Sequence, residues 1–203
     1  MILGLAGGVG GAKLAHGLAR VLAPGQLTIA VNTADDFRHL GLHVSPDLDS
    51  VMYKLADLND LERGWGLRDE SWQFMEMLAR LGGEDWFNLG DRDLATHMMR
   101  TQRLQAGESL TQVTAGLCRS LGIEHIIAPM SDDLVGTLVE TEDGVLPFQH
   151  WFVRLRCEPV VRSIRFEGVK FAKPSPPVAA ALQSDVLEAI ILCPSNPFVS
   201  IDP

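Results

Sequence analysis

Cys118, Cys157 and Cys193 are the only cysteines in this sequence. They are odd in number, widely spaced, and form no Cys-x-x-Cys pair. A disulfide framework and a thiolate zinc site are therefore excluded, and the three are expected to be buried reduced thiols of a cytoplasmic protein. Basic residues are also scarce: 17 Lys and Arg stand against 26 Asp and Glu, for a net charge of −9. No basic tract occurs, which argues against nucleic acid or a membrane surface as a partner. No apolar run approaches membrane-spanning length, and the start lacks the charged region of a secretory leader. The histidines, His16, His39, His43, His125 and His150 among them, fall at no zinc-type spacing. There is no Gly-x-Ser-x-Gly elbow, and no cysteine has a nucleophile setting.

What is present begins at the first residue. The apolar run Ile2 to Ala6 reads as a buried strand and breaks into Gly7, Gly8, Gly10 and Gly11, after which a helical pattern starts at Ala12. Strand, glycine turn and helix in that order place backbone N–H groups at the end of a strand, where a phosphate can sit. Lys13 adds a cation. It also breaks both familiar patterns, since the dinucleotide fingerprint wants Gly at that position and the P-loop wants Gly-Lys-Ser/Thr. Leu27 to Val31 then reads as a second strand, so the start is a βαβ unit and the sheet is parallel.

The next stretch, Asn32 to Asp49, has no sustained period and is rich in small polar, acidic and histidine residues. From Leu48 to about Leu81 the period is helical, interrupted by the linker Arg63 to Arg68. Further helices are expected after Asp91-Arg92-Asp93 and from Ser109, which forms a capping box with Gln112. Strands return at His125 to Pro129. Asp143-Gly144 marks a hairpin between Thr137–Thr141 and Val145–Phe152. Val160 to Phe166 and Val186 to Leu192 read as strands, with a short helix opened by Pro176-Pro177 between them. The last strand ends in Cys193-Pro194-Ser195-Asn196-Pro197. The expected architecture is α/β: a Rossmann-like, mostly parallel sheet in residues 1–47 and 123–203, with an inserted helical subdomain in 48–122.

Four acidic pairs recur: Asp35-Asp36, Asp47-x-Asp49, Asp91-x-Asp93 and Asp132-Asp133. Magnesium takes oxygen ligands, and phosphoryl-type transfer needs a cation to offset charge on the reacting phosphate. For each pair the alternative is a helix cap or a turn, with Asp91 or Asp93 the strongest candidate for a cap. Asp93, His97 and Arg100 share a helix face that could orient an anion or form an ion pair. Arg92, Arg100 and Arg103 make the best cationic clamp in the helical part. Trp65, between two glycines, could stack on a flat aromatic ligand. These features suit a nucleotide-dependent phosphoryl-type transferase better than a dehydrogenase.

Seven strings occur together and in order: Gly7-Gly-Val-Gly-Gly-Ala-Lys-Leu14, Val31-Asn-Thr-Ala-Asp-Asp36, Ser45-Pro-Asp-Leu-Asp49, Gly64-Trp-Gly66, Leu89-Gly-Asp-Arg-Asp-Leu-Ala-Thr-His97, Pro129-Met-Ser-Asp-Asp133 and Pro194-Ser-Asn-Pro197. With them the chain resembles the 2-phospho-L-lactate transferase family of coenzyme F-420 biosynthesis. The resemblance implies transfer of a 2-phospholactyl or phosphoenolpyruvyl group from a GDP-linked donor to the hydroxyl of the deazaflavin Fo, with release of GMP and a need for Mg2+. It implies a donor site at Gly7, Gly8, Gly10, Gly11, Lys13, Ser195 and Asn196. Asn32, Asp35, Asp36, Asp47 and Asp49 would face the reacting phosphate, the metal and the acceptor. Of these, Asp35, Asp36 and Asp49 are the catalytic candidates, and Asp36, Asp47 and Asp49 the metal ligands. Asp49 matches a position that contacts Fo, and Asn88 stands where archaeal members carry a lysine with the same role. Family members continue past the element at which this sequence stops, so the C-terminal part of the fold is expected to be missing, and the full-length form to be a homodimer. The competing expectations are a non-catalytic nucleotide-sugar-binding regulator of a related family and an inactive remnant.

Overall fold

The computed structural model describes residues 1–203. Its centre is a four-stranded parallel sheet built from β1 (Ile2–Ala6), β2 (Leu27–Val31), β5 (Ile126–Pro129) and β9 (Ala189–Leu192). The strand order is β5-β2-β1-β9. The chain steps outward from β1 through β2 to β5, then returns to the other side of β1 with β9. Strand order therefore reverses at β1, and the crevice beyond the carboxyl ends of β1 and β9 is where open α/β sheets take ligands.

Alternation along β2 sorts the layers. Leu27, Ile29 and Val31 join one core with Ala12 and Ala15 of α1 (Gly8–Val21), Leu48, Val51, Met52 and Tyr53 of α2 (Pro46–Leu55), and Leu110 and Cys118 of α5 (Leu110–Ser120). Ala30 faces the opposite side with Leu3 and Ala128, where α6 (Pro176–Leu182) packs through Val178 and Ala181. Small residues on that face let α6 lie close. Each fully buried aliphatic side chain of the larger core, such as Ile29 or Leu48, contributes roughly 1.5–3 kcal/mol. Helix α2 thus shares a core with α1 and the sheet, while α3 (Gln73–Arg80) and α4 (Asp91–Gln105) extend the helical region.

Two departures from the sequence reading involve local geometry. Within Asn32 to Asp49, Phe37–His39 (β3) and Leu42–Val44 (β4) pair as an antiparallel hairpin. Its turn residues Leu40 and Gly41 have φ of 52° and 79°, the left-handed pair of a tight hairpin turn. Beyond the hairpin of β6 (Gly136–Thr141) and β7 (Gly144–Pro147), the expected strand stops at Pro147. His150–Arg154 instead forms a π-helical turn, whose Phe152 stacks on the preceding Phe148 with ring centroids 5.2 Å apart. Strand β8 (Val161–Glu167) pairs with the other side of β6 to complete a small antiparallel sheet. Cys118 and Cys193 are buried as expected, whereas Cys157 is exposed. Burial pushes the Cys118 thiol up to about 12.

Candidate active site

The glycine turn lies at the crevice. Gly8 has φ +56°, a left-handed conformation that costs glycine little. A Cβ on Gly10 would run into the carbonyl oxygen of Pro194, so the helix start and the β9 loop touch as only glycine permits. The Gly7 N–H donates to Ser195 Oγ at 3.0 Å, closing the two walls on each other. Helix α1 has no cap from its own N-cap residue Gly7 and no acidic residue in its own first turn; the carboxylate that comes to its positive dipole end is Asp47 of α2.

Next to this turn stand two carboxylates with no cation of their own. Asp35 and Asp47 are both buried, and neither forms an ion pair. Asn32 joins them: its Nδ2 donates to Asp35 Oδ1 at 3.2 Å and to Asp47 Oδ2 at 3.0 Å. The amide orientation follows from its oxygen, which accepts the Ala34 N–H. Gln149, from the segment after β7, donates to Asp35 Oδ2 at 3.2 Å. Burial and the neighbouring charges of Asp47 and Asp36 push Asp35 well up. Asp47 rises from 3.8 to about 6, chiefly through burial, against hydrogen bonds from Asn32, the Gly8 backbone and Ser200.

Their sequence neighbours have partners. Asp36 Oδ2 accepts from Ser45 Oγ at 2.7 Å and lies 3.0 Å from His43 Nε2; burial still outweighs both and raises Asp36. Ser45 precedes α2 but spends its hydroxyl on Asp36 rather than on the helix. Asp49 is held through both oxygens by Arg100, which is fully buried on α4. The attraction and hydrogen bonds of Asp49 overcome burial and raise Arg100 further. Arg100 Nη1 also lies 3.3 Å from His97 Nδ1, and His97 Nε2 lies 3.3 Å from Asp93 Oδ2. Tyr53 donates to Asp93 Oδ1 at 2.5 Å. Burial alone would raise Asp93, but His97, Tyr53 and Arg100 hold it below its usual value.

Asp49, Asp93 and His97 each bring a ligand atom to within 4.8 Å of the others, a spacing open to a metal. The donor set argues against one. Arg100 already neutralises Asp49 from inside the triad, and a second cation there would be repelled. At Asp47 the reverse holds: its Oδ2 comes 2.5 Å from where a Cβ of Gly7 would be, and no cation separates it from an anion entering the turn. Carboxylate oxygens beside a phosphate-type loop fit magnesium, which is commonly held by one or two carboxylates and substrate phosphates.

The glycine turn, Asp35, Asp47 and the Asp49, Asp93 and His97 group open into one cleft of about 760 Å³. Gly7, Gly8, Gly10, Asp35, Asp47, Asp49, Asp93 and His97 line one part, with Pro194 to Asn196 and Ser200. Phe87, Phe148, Phe152, Val153 and Trp65 supply an apolar wall, and Asn88 and Arg63 also reach the lining.

The α/β fold agrees with comparison to known proteins. The family model described as 2-phospho-L-lactate transferase CofD matches residues 2–203. The chain belongs to this family. A 2-phospho-L-lactate transferase of Methanosarcina mazei is 42% identical over 197 residues, covering 97% of this chain and 64% of that protein. A phosphoenolpyruvate transferase of Streptomyces griseus is 45% identical over 205 residues, covering 98% of this chain and 64% of its own length. A protein of that name from Mycobacterium ulcerans is 43% identical, covering 97% and 65%. The chain thus spans a little under two thirds of these relatives. A solved structure of a UPF0052 family protein from Bacillus halodurans shares the fold, with a TM-score of 0.63 at 16% identity over 98% of this chain and 60% of that one.

Within this family member, the expected site residues divide by position. Gly7, Gly8, Gly10, Asp35, Asp47, Asp49, Asn88, Ser195 and Asn196 meet at the cleft. Gly11 is buried behind it, where a Cβ would lie 2.5 Å from Ser195 Oγ, and Asn32 acts through Asp35 and Asp47. Asp36 points to His43 and Ser45 and does not line the cleft. Lys13 is exposed and lines a separate small pocket with Lys54, so it adds no charge to the cleft. The expected arginine clamp is dispersed: Arg92 donates to the Arg68 carbonyl, Arg103 pairs with Glu108, and Arg100 is enclosed. Asp91 caps a helix other than its own, accepting the Gln73 and Phe74 N–H groups at the start of α3. Sequence reasoning missed Gln149 and Arg63. The first has no local signal, and the second was visible only as part of a Gly-rich linker.

Proposed function

We propose that the cleft transfers a 2-phospholactyl or phosphoenolpyruvyl group from a GDP-linked donor to the hydroxyl of a deazaflavin, Fo, releasing GMP. The observation that carries this reading is the juxtaposition of the glycine turn at a helix N-terminus with two buried carboxylates that lack a cation. A site for anions alone would not place Asp47 at the phosphate turn; a site for a magnesium-bound diphosphate would.

In this account the turn Gly7 to Gly11 and the loop Pro194 to Asn196 cradle the diphosphate through backbone N–H groups. Asp47 would hold the magnesium ion together with donor phosphates, where the ion would offset charge on the reacting phosphate. Asp35 is the proton acceptor: burial beside Asp47 and Asp36 raises its basicity above that of an ordinary carboxylate, and Asn32 and Gln149 fix its two oxygens. The acceptor oxygen bonds to the distal phosphorus, the bond from that phosphorus to the bridging oxygen breaks, and GMP leaves with that oxygen. The hydroxyl proton passes to Asp35. Phe148, Phe152 and Trp65 give the planar deazaflavin an apolar surface. Asp49, fixed by Arg100, shapes the floor rather than exchanging protons.

The test is a reaction of the full-length protein with Mg2+, Fo and the GDP-linked donor, followed by chromatography for GMP and the phosphodiester product. Equal amounts of both are expected. GMP without the deazaflavin product, or no turnover at all, rejects the reading.

A further inference from the structure

The cleft is lined by 27 residues, including four aspartates, Asp35, Asp47, Asp49 and Asp93; Arg63 is the single lysine or arginine among them. Its side chain is partly enclosed, at 30% exposure. The guanidinium carbon sits 4.7 Å from the ring centroid of Trp72 and 5.3 Å from that of Trp65, so two indoles hold it. Asp60 braces the same residue twice. Its Oδ1 accepts the Arg63 N–H at 2.8 Å, and its Oδ2 lies 3.5 Å from Nη1. The following turn is left-handed at Gly64 and Gly66, with φ of 85° and 72°, which places Trp65 between them at the cleft wall.

A phosphoryl donor whose transferred group also carries a carboxylate brings one more anion than the diphosphate turn serves. Set among four aspartates, that carboxylate needs a cation, and no lysine or arginine other than Arg63 lines the cleft. Lys13 and Lys54 belong to the neighbouring pocket, and Arg100 is closed on Asp49. A guanidinium set against two indoles offers a planar donor pair that matches a carboxylate.

We propose that Arg63 recognises the carboxylate of the transferred three-carbon group, a role that rests on the transferase reading above. Trp65 and Trp72 hold its guanidinium, and Asp60 sets its backbone and faces Nη1.

Calorimetric titration of the full-length protein with Mg2+ tests this with three ligands: GDP, the carboxylate-bearing guanylyl donor, and its ethyl analogue without the carboxylate. The wild type is expected to bind the carboxylate-bearing donor about tenfold to a hundredfold more tightly than the ethyl analogue, the worth of a charge-assisted hydrogen-bonded pair. Arg63→Gln should bring that ratio close to one while leaving GDP binding near wild type, and Arg63→Lys should restore part of the preference. Circular dichroism confirms that each variant is folded. An unchanged ratio in Arg63→Gln overturns the proposal and leaves the guanidinium as a brace for the indoles. An equal loss for all three ligands overturns it in favour of a diphosphate contact. If the wild type binds none of the three, the transferase reading fails and the assignment falls with it; if it binds all three without preference for the carboxylate, only the assignment falls.

Discussion

Arg100 grips both carboxylate oxygens of Asp49 in the interior, one helix reaching across to the start of another. The contact separates Asp49 from Asp47, two residues earlier on the same helix, which meets no cation. Two aspartates that look interchangeable in Ser-Pro-Asp-Leu-Asp thereby take different roles. Asp49 has its charge neutralised by Arg100, whereas Asp47 has hydrogen-bond donors but no cation.

Removing Arg100 should be severe. Arg100→Met leaves Asp49 buried without its partner and is expected to cost about 3–5 kcal/mol in denaturant unfolding. The double variant Arg100→Met with Asp49→Leu should recover part of that loss, because no charge is then stranded. Equal stability of the single and double variants would contradict the assignment.

Asp47 makes stability depend on pH in a defined direction. Its carboxyl is raised from 3.8 to about 6 in the fold, so between those values the folded state holds a proton that the unfolded chain has released. Without metal, stability should therefore fall as pH rises through this window and level off above about 6, with Asp47 costing on the order of 3 kcal/mol at neutral pH. Asp35 shifts in the same direction and adds to the slope. Asp47→Asn should make the curve measured by urea unfolding from pH 4 to 8 shallower, leaving the part due to Asp35. Saturating magnesium should restore stability above pH 6 in the wild type, by about 2.7 kcal/mol at a hundred times its Kd, and not in the variant.

Gly10→Ala puts a methyl group against the Pro194 carbonyl and should push the β9 loop away from the α1 N-terminus. Loss of GDP binding by at least about tenfold, or 1.4 kcal/mol, is expected, with a smaller drop in Tm, since the affected segments lie at the edge of the core. Gly17→Ala is the control: a Cβ there meets nothing within 4 Å, and Tm should hold or rise.

Phe152, stacked on Phe148 at an interplanar angle of 9° yet half exposed, offers its free face to the cleft. Phe152→Ala should weaken Fo binding by about 1–3 kcal/mol, the range for a planar ring stacked on an aromatic side chain. GDP binding should be untouched. Fluorescence titration of the deazaflavin measures both.

The parallel sheet, the glycine turn and the β9 loop were legible in the sequence because strand, turn and helix signals are local. The hairpin Phe37–Val44 was not, since its polar residues conceal the period; the signal was Leu40-Gly41, a pair able to adopt left-handed geometry. The division of labour among the aspartates was also out of reach. It depends on where His43, Arg100, Asn32 and Gln149 arrive, and Gln149 meets Asp35 across 114 residues of chain. The Asp93, His97, Arg100 stripe was correctly placed on one helix face, but only packing shows that the face turns inward onto Asp49 and Tyr53. Arg63 gains meaning only when the charges lining the cleft are counted together.

The central claim is that a divalent cation joins the site at Asp47, beside the diphosphate turn, and leaves Asp49 with Arg100. Anomalous diffraction from crystals of the full-length protein grown with Mn2+ and GDP tests it most directly. The expected result is one manganese peak bonded to an oxygen of Asp47 and to a GDP phosphate, with the Asp49–Arg100 pair intact. A peak on Asp49, Asp93 and His97 with Arg100 displaced would contradict it.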